Sequence, residues 1–264
     1  MKLEISGSQV HIATGGRAFV PGAPYMIFLH GSGQSHLTWV LQTRYFAYEG
    51  YNIVAPDFPG HGLSKGNPLS TIRKMADWVK TLMNVLGVDE AVIVGHSQGC
   101  LVGLELVAQN GGCVSKLVLI SGALSIPVND YLVESSANKL SAAISMMTSW
   151  GHGRLAQFHD NSQPGISLLG FGRALMMTND KTALHTDLQA CNLYDAGDDA
   201  ANSVIVPCLV ILAGADKMIP IKQGRLMAKA IVNSQLIEIP GAGHFLPAEH
   251  PDDVNKSLAR FLVF

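Results

Sequence analysis

A chain of 264 residues is about 1.8 times the ~150 residues of an average domain, which suits one large α/β domain or a core carrying an inserted subdomain. With 48% hydrophobic and only 14% charged residues, the composition excludes disorder as the main state. Eighteen Lys plus Arg against twenty Asp plus Glu leave a formal charge of −2, so no broad positive field draws phosphates, and nucleic acid and anionic lipid are not expected partners.

Glu4 breaks the apolar run that a signal peptide would need at residues 1–7, and no stretch of about 18 apolar residues occurs, so a cytoplasmic protein that does not enter a membrane is expected. The first elements are two weak strand segments, 3–5 and 10–12, able to pair as an antiparallel hairpin across Gly7-Ser8. Apolar runs follow at 25–29, 51–55, 91–94, 116–120, 207–213 and 235–239. They show little polar alternation, which predicts parallel strands covered by helices on both faces. Ile72, Met75, Ala76, Val79, Leu82, Met83 and Leu86 fall at offsets 0, 3, 4, 7, 10, 11 and 14, the apolar stripe of a helix that Ser70 can cap and Gly87 can end. Further helices are predicted at 99–109 and at 251–261, where Pro251 fits the first turn.

Between 123 and 200 the alternation stops and the composition shifts to Ser, Asn, Gly, Met and His, with helical patches such as 140–147. That length is too great for an ordinary connection and predicts an inserted helical cap on a core formed by 1–122 and 201–264. Cys100, Cys113, Cys191 and Cys208 show no C-x-x-C spacing and read as free thiols, and no metal-ligand spacing is present, so no metal is expected. Dinucleotide and P-loop signatures are absent too, so no cofactor is expected.

The strongest chemical signal is Gly95-His96-Ser97-Gln98-Gly99, which follows one predicted strand and opens a predicted helix. That context is required by a nucleophile elbow, where a tight strand-to-helix turn presents the serine hydroxyl and the helix N-terminus favours a developing oxyanion. A serine hydroxyl needs a base, and the base an orienting carboxylate. Asp216 follows the run 207–213, and His244 stands in Pro240-Gly241-Ala242-Gly243-His244, where Gly243 gives the loop freedom to aim the ring. Asp57 is the competing acid, but it precedes Ser97 and belongs to the turn Asp57-Phe58-Pro59-Gly60-His61-Gly62-Leu63-Ser64. His61 reads as a turn residue and His250 as a surface residue.

These motifs, with His30-Gly31-Ser32-Gly33 after the strand 25–29, make the chain similar to the α/β-hydrolase fold superfamily, in its lipase and esterase-like branch. The resemblance covers residues 1–122 and 201–264 and implies a mostly parallel central sheet with helices on both faces, a helical cap and the triad order Ser97, Asp216, His244. It also implies an oxyanion hole built from the backbone N–H groups of Ser32, rather than Gly33, and of Gln98. The activity it implies is hydrolysis of an ester, or secondarily a thioester or amide, of a small apolar acyl compound through an acyl-enzyme. Cleavage of a C–C bond in a diketone-like substrate is the alternative; the loop lacks the proline of H-G-x-G-P-G, and His96 stands where such enzymes often carry Asn. A small-molecule receptor on the same fold is the non-enzymatic alternative. In the cap, the polarizable side chains Met146, Met147, Met176 and Met177 and the ring of Trp150 are the candidates for an apolar substrate pocket.

Overall fold

The computed structural model describes residues 1–157 and 165–263. In chain order its elements are β1 (Lys2–Ile5), β2 (Ser8–Ala13), β3 (Tyr25–Leu29), α1 (Val40–Tyr48), β4 (Asn52–Pro56), α2 (Ile72–Leu86), β5 (Ala91–His96), α3 (Gln98–Asn110) and β6 (Val114–Ile120). After β6 come α4 (Asp130–Asn138), α5 (Leu140–Gly151), α6 (Arg154–Gln157), α7 (Leu168–Met177), α8 (Ala183–Asn192) and α9 (Gly197–Asn202). The chain then returns to the sheet with β7 (Cys208–Ala213), α10 (Ile221–Ala230), β8 (Ser234–Ile239), α11 (Leu246–Glu249) and α12 (Pro251–Leu262).

Eight strands form one sheet in the order β1-β2-β4-β3-β5-β6-β7-β8. β1, β2 and β4 pair antiparallel, and every pairing from β4 to β8 is parallel. Alternate side chains of one strand feed two cores. On β3, Ile27 and Leu29 join the cluster under α2, α3 and α10, while Met26 and Phe28 join the cluster under α1 and α12. Because β3 has β4 on one side and β5 on the other, the winding direction reverses between β3 and β5, and the carboxyl ends of these two strands open the crevice where such sheets bind ligands.

α2 covers the stripe from Ile72 to Leu86, but its N-cap is Thr71, not Ser70. Thr71 has the extended backbone a cap requires and accepts a hydrogen bond from Lys74 N at 3.1 Å, whereas the Ser70 hydroxyl meets Lys74 Nζ. Gly87 ends the helix at φ +66°. α4, α5, α7 and α8 have a small apolar cluster of their own, with Leu132, Ile144, Met147, Leu175, Leu184 and Leu188 around Phe245 of the core. α9 instead packs on α3 and α10. Of the range 123–200 that the sequence marks as inserted, 158–164 lie outside the described residues. The four cysteines are free and buried, and among the described residues no helix is long and apolar enough to cross a membrane.

Candidate active site

Ser97 sits between β5 and α3 at φ 54° and ψ −118°, a backbone region that costs a non-glycine residue of order 1–3 kcal/mol. The turn is held by Ser97 N donating to the carbonyl of Ile120 at 3.0 Å. Its closeness demands the flanking glycines. A Cβ on Gly95 would lie 2.3 Å from the Gly99 carbonyl oxygen, and one on Gly99 would lie 2.3 Å from that of Leu29.

Three side chains from three strand ends meet here. His244 Nδ1 donates to Asp216 Oδ2 at 2.7 Å, which leaves Nε2 with its lone pair toward Ser97 Oγ at 2.9 Å. Asp216 Oδ1 accepts from the N–H groups of Met218 and Ile219 at 2.8 and 2.9 Å, so the carboxylate is fixed at both oxygens. The His244 backbone is clamped as well: its N–H donates to Gly151 O at 2.6 Å, and its carbonyl accepts from His96 Nε2 at 2.8 Å. That bond gives His96 a structural role as a neutral imidazole, its pKa lowered by burial to about 3. Gly243 is needed for contact and not for torsional freedom. Its φ is not positive, and a Cβ there would lie 2.2 Å from Gly153 N.

The candidate oxyanion loop, 30–33, follows β3. Gly33 N donates to Asp187 Oδ2 at 2.8 Å and is therefore spent, while among the described residues the N–H groups of Ser32 and Gln98 have no acceptor. Both flank Ser97: Gly31 is close enough that a Cβ on it would lie 3.0 Å from Ser97 Cβ, and Gln98 is the first residue of α3.

Over Ser97 and His244 opens a cavity of about 110 Å³. Met147 and Trp150 line it with Leu132, Leu188 and Ile219, and the polar side chains of Asn129 and Lys217 also face it. Met146, Met176 and Met177 do not. Successive helical residues point about 100° apart, so α5 turns Met147 to the cavity and Met146 into the partly buried flank of its cluster. α7 packs against α5, with Met176 buried in a separate apolar cavity beside Phe171 and Leu175 and Met177 53% exposed.

Asp57 holds a different histidine. Its carboxylate accepts from the His36 backbone N–H at 2.7 Å, from His36 Nδ1 at 2.8 Å and from Leu63 N at 2.9 Å. Among the described residues, His11, His36 and Asp57 are the three side chains of metal-ligand type whose donor atoms gather within 4.8 Å, and these bonds already use the Asp57 oxygens. His30 is a neutral neighbour whose Nε2 accepts from Phe58 N, with its pKa lowered by burial to about 4. His250 pairs with Asp253 at the start of α12.

Two buried carboxylates that hold the loops of the site escaped the sequence reading. Glu249 accepts from the N–H groups of Gly153, Phe245 and, at 3.3 Å, Gly243, tying the His244 loop to the residues after α5. Asp187 joins the loop after β3 to α8, and its signal was present in the spacing: Leu184, Asp187, Leu188 and Cys191 fall at offsets 0, 3, 4 and 7, which puts an acid on a buried stripe.

Comparison with known proteins agrees with this architecture. A bifunctional esterase/perhydrolase of Acinetobacter calcoaceticus is 29% identical over 261 residues, covering 91% of this chain and 92% of the relative. A thermophilic esterase of known structure superposes with a TM-score of 0.80 at 27% identity, covering 100% of this chain and 96% of its own. The enol-lactonase of Burkholderia xenovorans LB400 superposes with a TM-score of 0.89 over 100% of both chains, at 23% identity a likeness of fold. The family model described as "Alpha/beta hydrolase family" matches residues 26–257, most of the sheet and both strand ends that carry Ser97 and Asp216, and the chain belongs to that family.

Proposed function

We propose that the protein is a cofactor-independent serine hydrolase that cleaves an ester of a small apolar acyl compound, with residues 123–200 acting as a cap over the site. The observation that carries the reading is the continuous chain of hydrogen bonds Asp216–His244–Ser97 beside two backbone donors, Ser32 N and Gln98 N, that have no acceptor among the described residues. Ser97 Oγ attacks the carbonyl carbon as His244 Nε2 takes its proton, and Asp216 holds the ring and stabilises the imidazolium. The carbonyl oxygen becomes an oxyanion received by Ser32 N and Gln98 N. Collapse expels the alcohol, protonated by His244, and leaves an acyl-Ser97 ester. A water, deprotonated by the same imidazole, attacks that ester and releases the acid. The esterase names of two relatives support the ester bond as the target, and the side chains of Leu132, Met147, Trp150 and Leu188 support an apolar acyl group.

The test is a panel of p-nitrophenyl esters of rising chain length plus one diketone, with a fluorophosphonate as active-site label. Ester turnover, label on Ser97 and a Ser97→Ala variant that folds but is slower by about 10⁴- to 10⁶-fold are expected. Label on another serine would overturn the nucleophile. Diketone cleavage without ester cleavage would overturn the bond class, and saturable binding without turnover would make the protein a receptor.

A further inference from the structure

The loop carrying Ser32 is gripped by the inserted region. The two peptide groups flanking Gly33 are each held from there: the N–H donates to Asp187 Oδ2 at 2.8 Å, and the carbonyl accepts from Asn179 Nδ2 at 2.6 Å. Asn179 Oδ1 in turn accepts from Gly62 N at 2.8 Å, and the Asp187 carbonyl accepts from Gln98 Nε2 at 3.1 Å. One stretch of chain, 179–187, thus touches both loops that would supply the oxyanion donors.

A buried carboxylate beside an oxyanion hole would oppose the charge that forms there unless it were neutralised. His61 supplies the neutralising charge. Its Nε2 faces Asp187 Oδ2 at 2.9 Å and its Nδ1 faces the Pro59 carbonyl at 3.0 Å, both of them acceptors, so the bonding pattern calls for a proton on each nitrogen. Burial lowers the pKa of this imidazole, but the Asp187 charge and hydrogen bond raise it, and the net shift is upward. Both side chains are only 1% exposed, so the pair stands in a low-dielectric setting where leaving either partner alone is costly.

Resting on the reading of Ser97 as nucleophile, we propose that Asp187 is a positioning residue for the oxyanion hole. It ties up the Gly33 N–H and, with Asn179 on the Gly33 carbonyl, sets the loop so that Ser32 N faces the reacting oxygen, while His61 cancels its charge. The oxyanion hole is therefore assembled jointly by the core and the inserted region.

The experiment compares wild type with Asp187→Ala, Asp187→Asn and Asn179→Ala on p-nitrophenyl butyrate, together with inhibition by a propyl trifluoromethyl ketone, whose hemiketal oxyanion occupies the hole, and by butyrate, which lacks a tetrahedral centre. For Asp187→Ala, kcat is expected to fall by about 10- to 100-fold with KM within about threefold, the ketone Ki to rise in parallel and the butyrate Ki to stay put. Asp187→Asn should recover most of the loss, since its amide oxygen in the place of Oδ2 can accept from both Gly33 N and the Nε2–H of a neutral His61. Unchanged ketone inhibition in Asp187→Ala, equal weakening of ketone and butyrate, or no rescue by Asn would each overturn the proposal. If Asp187→Ala does not fold, Asn179→Ala decides: a selective weakening of the ketone supports the proposal, and an unchanged Ki overturns it. Absence of ester turnover in wild type would instead defeat the serine-hydrolase reading itself.

Discussion

Asp57 and Asp216 each hold a histidine, at 2.8 and 2.7 Å, and the strength of that bond does not separate them. What separates them is the far nitrogen, since only His244 presents its Nε2 to a serine hydroxyl. Asp216→Asn is expected to lower kcat by about 10³- to 10⁴-fold with little change in KM, because the imidazole loses its orienting acceptor and its charge partner. Asp57→Asn breaks the pairing with His36 and should cost stability while kcat stays within about tenfold. Steady-state kinetics of both variants on one ester check this, and a reversed ranking would move the acid to the earlier turn. Gly243 gives a second test at this scale. Since a Cβ there would strike the backbone of Gly151 and Gly153, Gly243→Ala should lower stability by about 1–3 kcal/mol and disturb His244, measured by urea unfolding and kcat.

Elements decide which side chains reach the substrate. Trp150, 39% exposed at the end of α5, borders the cavity, so Trp150→Ala should depress kcat/KM for bulky apolar esters more than for acetyl esters, by about 10-fold or more. Met146→Ala and Met177→Ala, outside the cavity wall, should leave the acyl-chain profile unchanged. This division also marks how far the sequence could be read. Strands declare themselves through apolar runs and α2 through its stripe, because both patterns are local. The elbow is equally local, a pentapeptide between a strand and a helix. α1 gives no such pattern, since it buries Gln42 and Thr43 together with Phe46 and Ala47. Which methionine faces the cavity depends on how α5 and α7 are rotated against the core, and that is set by contacts with Phe245 and Leu188, remote in sequence. Glu249 acts on backbone N–H groups, which no residue type advertises, whereas Asp187 shows in the sequence as an acid on a buried stripe without naming Gly33 and His61 as its partners.

At the scale of the molecule, His30, His96 and His152 are held neutral, their pKa values lowered chiefly by burial to about 4, 3 and 4. In the unfolded chain each would protonate near pH 6.5, so their contribution is fully present above that pH. It is lost on acidification, at up to about 1.4 kcal/mol per pH unit for each ring, until the folded-state groups titrate as well. His61, with its pKa raised in the fold, behaves oppositely: its stabilisation is complete below pH 6.5 and fades as pH rises through the folded value. Stability should therefore peak near neutrality and fall steeply between pH 6.5 and 5. Urea unfolding across this range checks the slope, and His152→Gln should make the acid limb shallower.

Three of the four free, buried cysteines, Cys100, Cys191 and Cys208, turn the protein into its own set of clocks. Burial pushes the Cys191 and Cys208 thiols up to about 12 and raises Cys100 further, so none offers a thiolate to a reagent while the chain around it stays closed. Labelling then waits for opening, and each site times a different one. Cys191 lies on α8 against Ser32, whereas Cys208 lies in β7 and Cys100 under the elbow. Mass-resolved labelling with a maleimide should modify Cys191 first, at the rate at which α8 lifts from the core, and Cys100 and Cys208 together at the rate of global unfolding. Simultaneous labelling of all three would mean that the inserted region and the sheet open as one unit.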